Sequence, residues 1–237
     1  MRYNGNMKNT MTYDFEDGSG PVPAHQHSNG GGWVADSTRV VDSAFVGPDA
    51  KVYGNAEVDG NAWVFGNALV FGNALVFGAA RVYDNAKVSG NAVISDNAMV
   101  YGTAKVYGTA RVFGTARVFD GAEVYDNASV YGNAWVFDGA KVYGYARVSG
   151  NASVYGTARV FDGAKVYDNA LVYGYAKVYG NAWVFGAARV FDNASVCGYA
   201  FVYGNTSVYD NTKVCGSDWV FDYASVCGDA QVDGTAE

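Results

Sequence analysis

From Val34 onward the chain keeps one beat: an aliphatic residue at every sixth position, a small residue four places behind it, and bulky or polar residues between them. Written as V-(Y/F)-(G/D)-(N/T/G)-A-x, the unit runs 34 times to Glu237 without an insertion or deletion. Position one is Val except at Ile94, and position five is Ala except at Thr38, Thr206, Thr212 and Asp218. In an extended chain successive side chains point to opposite sides, so "A-x-V" puts Ala and Val on one face and x on the other. The aromatic that follows Val in 23 of the units then points outward with x. Positions three and four are Gly-Asn, Asp-Asn, Asp-Gly or Gly-Thr in most units. Such residues tolerate positive φ and make tight bends.

Each hexad therefore reads as a short strand plus a corner. A chain that always turns the same way, with the same side inside, cannot form hairpins and coils into a solenoid. Three hexads, 18 residues, close one triangular coil, and 34 units give about 11 coils, a rod of roughly 54 Å at the usual strand spacing. The pattern predicts an all-β fold with a parallel, triangular β-solenoid over residues 34–237. Residues 1–33 break the beat and read as a short irregular N-terminal cap and oligomerisation segment, because an open solenoid end is a bare strand edge.

The units "VYGNAWV", "VYGTARV" and "VFDGAKV" resemble the hexapeptide-repeat family of left-handed parallel β-helices, and their dense repetition resembles its uncharacterised bacterial and phage-encoded members. The resemblance covers residues 34–237. It implies the left-handed wind, whereas the ordinary crossover rule favours the other hand. It also implies trimers, and, for many members, acyltransferase activity with a His base near a loop extruded from the coils. Here the hexads contain no His and extrude no loop.

Composition narrows the function classes. The net charge is −7, and a general nucleic-acid binder needs a basic surface, so nucleic acid is disfavoured as a partner. There is no run of 18 apolar residues, so no membrane-spanning helix is expected. "MRYNGNMKNTMTYDFEDG" lacks the apolar stretch of a secretion signal. Three Cys, an odd number, fit reduced thiols and a cytoplasmic or virion-associated setting.

Residues 18 apart share a face. The first face carries a basic ladder, Lys51, Lys87, Lys105, Lys141, Arg159, Lys177 and Lys213, beside a ring ladder of Tyr53, Phe71, Tyr107, Tyr125, Tyr143, Phe161 and Tyr179. A nucleic acid, though disfavoured by the net charge, or an anionic glycan would meet this wall; a protein partner is a further candidate. The third face carries Phe45, Trp63, Met99, Trp135 and Leu171 beside Phe65, Tyr83, Tyr101, Phe119, Phe137, Tyr155 and Tyr173. An apolar strip of this width marks an association surface, and a homo-oligomer, trimeric or end-stacked, is expected to use it. Twelve Asp at position three read as corner-formers that also offset the Lys.

Three smaller features complete the reading. His25 and His27, an H-x-H pair in "GPVPAHQHSNGGGW", are the only His residues and are candidate metal ligands. Thr206, Thr212 and Asp218 place three polar side chains at the inward positions of one coil, where internal hydrogen bonds or trapped water must satisfy them. Cys197 and Cys215, 18 apart, are expected to remain a reduced pair, because strand spacing is long for a relaxed disulfide. No cofactor motif and no catalytic residue stands out. The function expected is a non-catalytic structural or binding rod that presents aromatic and basic ladders and self-associates. The alternative, implied by the resemblance, is an acyltransferase-like enzyme with its site at an N-terminal subunit interface.

Overall fold

A computed structural model describes residues 11–232, so the first ten residues of the N-terminal segment and the last five of the repeat lie outside it. Every hexad between Val34 and Val232 contributes a strand, in nearly all units the two-residue pair formed by x and Val. No helix occurs among the described residues. Strands 18 residues apart pair in parallel, Lys51–Val52 with Leu69–Val70 and so on along the rod. The result is three sheets, two of 11 strands and one of 14. This is the parallel β-solenoid of about 11 coils that the six-residue beat predicts.

The interior follows from the alternation. Val and Ala at positions one and five are fully buried from Ala44 through Val202, and Ile94 takes its place in the same column. Each buried Val contributes on the order of 1.5–3 kcal/mol, so the stacked column supplies the cohesion that no single coil could. The backbone is satisfied between coils: Lys51 N–H donates to Ala68 O at 3.0 Å, Tyr53 N–H to Val70 O at 3.0 Å and Asn55 N–H to Gly72 O at 2.7 Å. The same three bonds recur in most hexads, so each coil needs the next one to pair its amides.

The corners obey a rule that links coils 18 residues apart. Among the described residues position three is left-handed in all coils but the first, where Asp36, Asp42 and Pro48 are not. Ten Asp residues hold φ between 53° and 64° there, a conformation unfavourable for residues with a Cβ. In seven of them, Asp84, Asp96, Asp126, Asp138, Asp162, Asp168 and Asp210, carboxylate Oδ2 accepts from the amide of the Gly one coil on, at 2.9–3.3 Å. Asp120 and Asp192 have Asp138 and Asp210 above them instead, and make no such bond. The corner Asp residues are thus corner-formers, as the sequence suggests, but their charge is spent on backbone amides. None of the ten left-handed Asp forms an ion pair with Lys among the described residues. Position four adds side-chain ladders along the edges, such as Asn133 to Asn151 to Asn169 at 3.0 and 3.1 Å.

At the N-terminal end β1 (Thr12–Tyr13) and β2 (Val22–Gln26) run antiparallel onto β3 (Trp33–Ala35), which opens the first face and pairs in parallel with Lys51–Val52. The segment also reaches over the wall. Tyr13 stacks on Trp33 at 4.3 Å and Phe15 on Tyr53 at 4.9 Å, so Phe15, Ala24, Ala35 and Tyr53 form a second small core.

Candidate functional site

With Val and Ala consumed by the interior, the side chains left to meet other molecules stand on the wall and at the ends of the rod. The outward rings repeat at the coil spacing. On the third face Phe65, Tyr83, Tyr101, Phe119, Phe137, Tyr155, Tyr173, Phe191 and Tyr209 stack with centroids 4.8–5.0 Å apart and planes within 7°. Parallel pairs of this kind are worth roughly 0.5–1.5 kcal/mol beyond their burial, so the ladder is a structural element in its own right. All twelve candidate association residues do fall on this one face, with Phe45, Met99 and Leu171 half-buried and Trp63 and Trp135 more open at 47% and 42% exposed. Their bare area is smaller than the sequence suggests. The Arg81 guanidinium lies 5.8 Å from the Trp63 ring and that of Arg117 5.2 Å from Trp135, each one coil away in register.

The first face is not a uniform basic stripe. Lys105 and Lys141 close on Glu123 at 3.2 and 3.0 Å from the coils on either side. Burial pushes the Glu123 carboxyl up, but the hydrogen bonds from Lys141 and Lys105 outweigh it and hold the group below its ordinary value. Lys51 sits 3.7 Å from Glu16 and 5.4 Å from the Tyr13 ring. Lys87, Arg159, Lys177 and Lys213 form no ion pair among the described residues, and Arg159 and Lys177 lie side by side in register. Beside them, burial raises the phenols of Tyr107, Tyr125 and Tyr143 above their ordinary value. Burial, then the neighbouring Tyr143 and Tyr107, push the Tyr125 phenol up to about 12.

The remaining candidates are placed as follows. His25 is exposed and its Nδ1 lies 2.8 Å from Asp36 Oδ1, whereas His27 is buried, its Nδ1 against the Asn29 backbone. The H-x-H spacing thus leaves the two rings in separate environments. Among the described residues no group of three or more His, Cys, Asp or Glu is arranged to hold a metal. Thr206 and Thr212 are fully buried inside the prism and Asp218 is half-buried. Thr206 Oγ1 donates to the Tyr203 carbonyl at 2.6 Å, while Thr212 Oγ1 and Asp218 Oδ2 have no partner among the described residues. The expectation of a reduced cysteine pair is corrected. The Cys197 and Cys215 Cα atoms are 4.5 Å apart and the sulfurs are bonded, leaving Cys227 as the free thiol. Paired strands bring these ladder positions within disulfide reach, so the strand-spacing objection fails.

Two features escape a reading by period alone. Tyr145, Tyr175, Tyr199 and Tyr223 are 63–84% exposed at corners, where position four is ordinarily Asn, Thr or Gly. The second face also carries an open groove lined by Tyr131, Arg147, Ser149, Lys165, Tyr167 and Trp183. Its only trace in the sequence is a Ser in the ring column.

Residues 80–95 match the model of a family described as a YdcK beta solenoid repeat. The chain is therefore similar to a known β-solenoid repeat over that stretch, in keeping with the fold. No curated protein matches the sequence.

Proposed function

We propose that this β-solenoid repeat protein is a non-catalytic rod that displays ring and cation ladders at coil spacing and associates with itself through its third face. The observation that carries the reading is the unbroken nine-ring stack of that face, bordered by Trp63 and Trp135, which remain nearly half exposed despite their Arg neighbours. Burying them against a second copy would remove apolar area from water at about 25 cal/mol per Å². The hexapeptide-repeat likeness of the units supports the same reading, with a left-handed wind and trimeric assembly as its finer form. Light scattering on the 25.1 kDa chain tests it. A mass of two or more chains that falls to one in a Trp63→Ser, Trp135→Ser variant supports third-face association. A mass unchanged by that variant moves the contact to the rod ends, and a monomer at all concentrations refutes self-association.

One contact favours a second reading, an acyl-transfer enzyme. The His25–Asp36 pair, 2.8 Å apart and half exposed, has the form of a base held by a carboxylate. Acetyl transfer from acetyl-CoA that is lost in His25→Ala would support it. Absence of any coenzyme A binding in a thermal-shift titration would remove it.

A further inference from the structure

On the second face the ring ladder is interrupted at Ser149, and two cations stand at the gap. Phe113 stacks on Tyr131 and Tyr167 on Phe185, each pair 4.9 Å apart and parallel within 2°. Between these pairs the ladder position is Ser149, one coil beyond Tyr131 and one coil before Tyr167. Tyr131 and Tyr167 are therefore two strand steps apart, about 9.6 Å. A flat ring placed midway would stack on both at the spacing the rest of the wall uses. The serine fills little of this gap, and the groove there measures about 350 Å³.

Charge selects among flat ligands. Arg147 and Lys165 face each other in register, and neither has an acidic partner among the described residues. Like charges directly opposite on neighbouring strands repel, and an anion between them relieves that cost. The acids nearest in the chain, Asp162 and Asp168, point Oδ2 along their own corners to the amides of Gly180 and Gly186. Lys165 Nζ lies 3.9 Å from the Trp183 ring centroid, which holds the ammonium at the groove wall. The other Ser in this column, Ser95, is buried, so its notch is closed. At Ser89, on the first face, the flanking Lys105 is committed to Glu123. Ser149 alone joins an open one-ring gap to a pair of uncommitted cations.

We propose that the Ser149 notch binds a planar aromatic carboxylate, the ring sandwiched between Tyr131 and Tyr167 and the carboxylate held by Arg147 and Lys165. The site is independent of whether the rod self-associates. The test is calorimetric titration of the full chain with 4-nitrobenzoate. Saturable binding to one site per chain with Kd near 1 mM is expected, on the order of what so small a ligand can reach. Cyclohexanecarboxylate, equally charged but not flat, and 4-nitrobenzamide, flat but neutral, should each bind at least about tenfold more weakly. Ser149→Tyr supplies the missing rung, so it should abolish binding while raising the melting temperature. Arg147→Ser should weaken binding about tenfold with the fold intact. No saturable binding by the unaltered protein, equal binding of cyclohexanecarboxylate, or undiminished binding by Ser149→Tyr overturns the proposal.

Discussion

Replacing Asp138 isolates what the corner carboxylates do. Asp138 sits at φ 57° and its Oδ2 accepts from the Gly156 amide at 3.2 Å, on a stack of corners that continues to Gly174. Asp138→Ala keeps a Cβ in the left-handed region without the short polar side chain that makes Asp tolerant of it, a cost of about 1 kcal/mol. It also strands an exposed amide that had a charged acceptor, about 1 kcal/mol more. Asp138→Gly loses the same bond but relieves the backbone, and adds back about half a kcal/mol or more through the greater freedom of the unfolded chain. The expected order of stability is native, then Asp138→Gly at about 1 kcal/mol below, then Asp138→Ala at about 2 kcal/mol below. Gly156→Ala should be at least as damaging, because the new Cβ would lie 3.0 Å from Gly174 N at φ 69° with no carboxylate to compensate. Thermal unfolding followed by circular dichroism reads the series, since about 2–4 °C corresponds to 1 kcal/mol in a chain of this length. Hydrogen exchange at the Gly156 amide gives a local check: it should quicken in both Asp138 variants. If Asp138→Gly melts at or above the native protein, the carboxylate does not stabilise the corner, and the Asp-under-Gly rule is accidental.

Other perturbations probe the remaining layers. Val142 is fully buried, so Val142→Asp puts a carboxylate into the column at a cost of several kcal/mol. The adjacent Lys141→Ser gives up only part of a surface ion pair, under about 1 kcal/mol, and equal melting temperatures for the two would refute the register. Because the folded Glu123 carboxyl lies below its ordinary value, its stabilising effect is complete above the unfolded value of 4.5 and vanishes as pH falls through the folded one. The melting temperatures of native protein and Glu123→Gln should thus differ at pH 7, by the equivalent of about 0.5–1 kcal/mol, and converge toward pH 3; a gap that widens in acid contradicts the Lys105–Glu123–Lys141 clamp. Thiol labelling of the unreduced, denatured chain should modify Cys227 alone, with Cys197 and Cys215 reacting only after reduction. Cys215→Ser should cost the C-terminal coils roughly 3 kcal/mol in the chain-entropy account, whereas labelling of all three thiols without reductant would exclude the cross-link.

The sequence by itself determined the solenoid. Strand alternation and positive-φ corners act within six residues, so a strictly repeated hexad dictates which side chains go inside, where the chain turns and how many coils result. It also assigned residues to faces, because 18-residue stacking is arithmetic once the coil is triangular. What it could not give is the relation between side chains on neighbouring coils. The cationic covers over Trp63 and Trp135, the clamp on Glu123, the Asp carboxylates bonded to Gly amides and the Cys197–Cys215 cross-link all join residues a full coil apart. They depend on distances of 3–6 Å that the period brings within reach but does not choose. The folded-back N-terminal strands and the Ser149 notch lie still further from the pattern, since each is a departure from the repeat whose meaning depends on what its neighbours leave uncovered. Local backbone chemistry fixed the frame. Packing between coils decided which parts of the wall are spent on stability and which stand open.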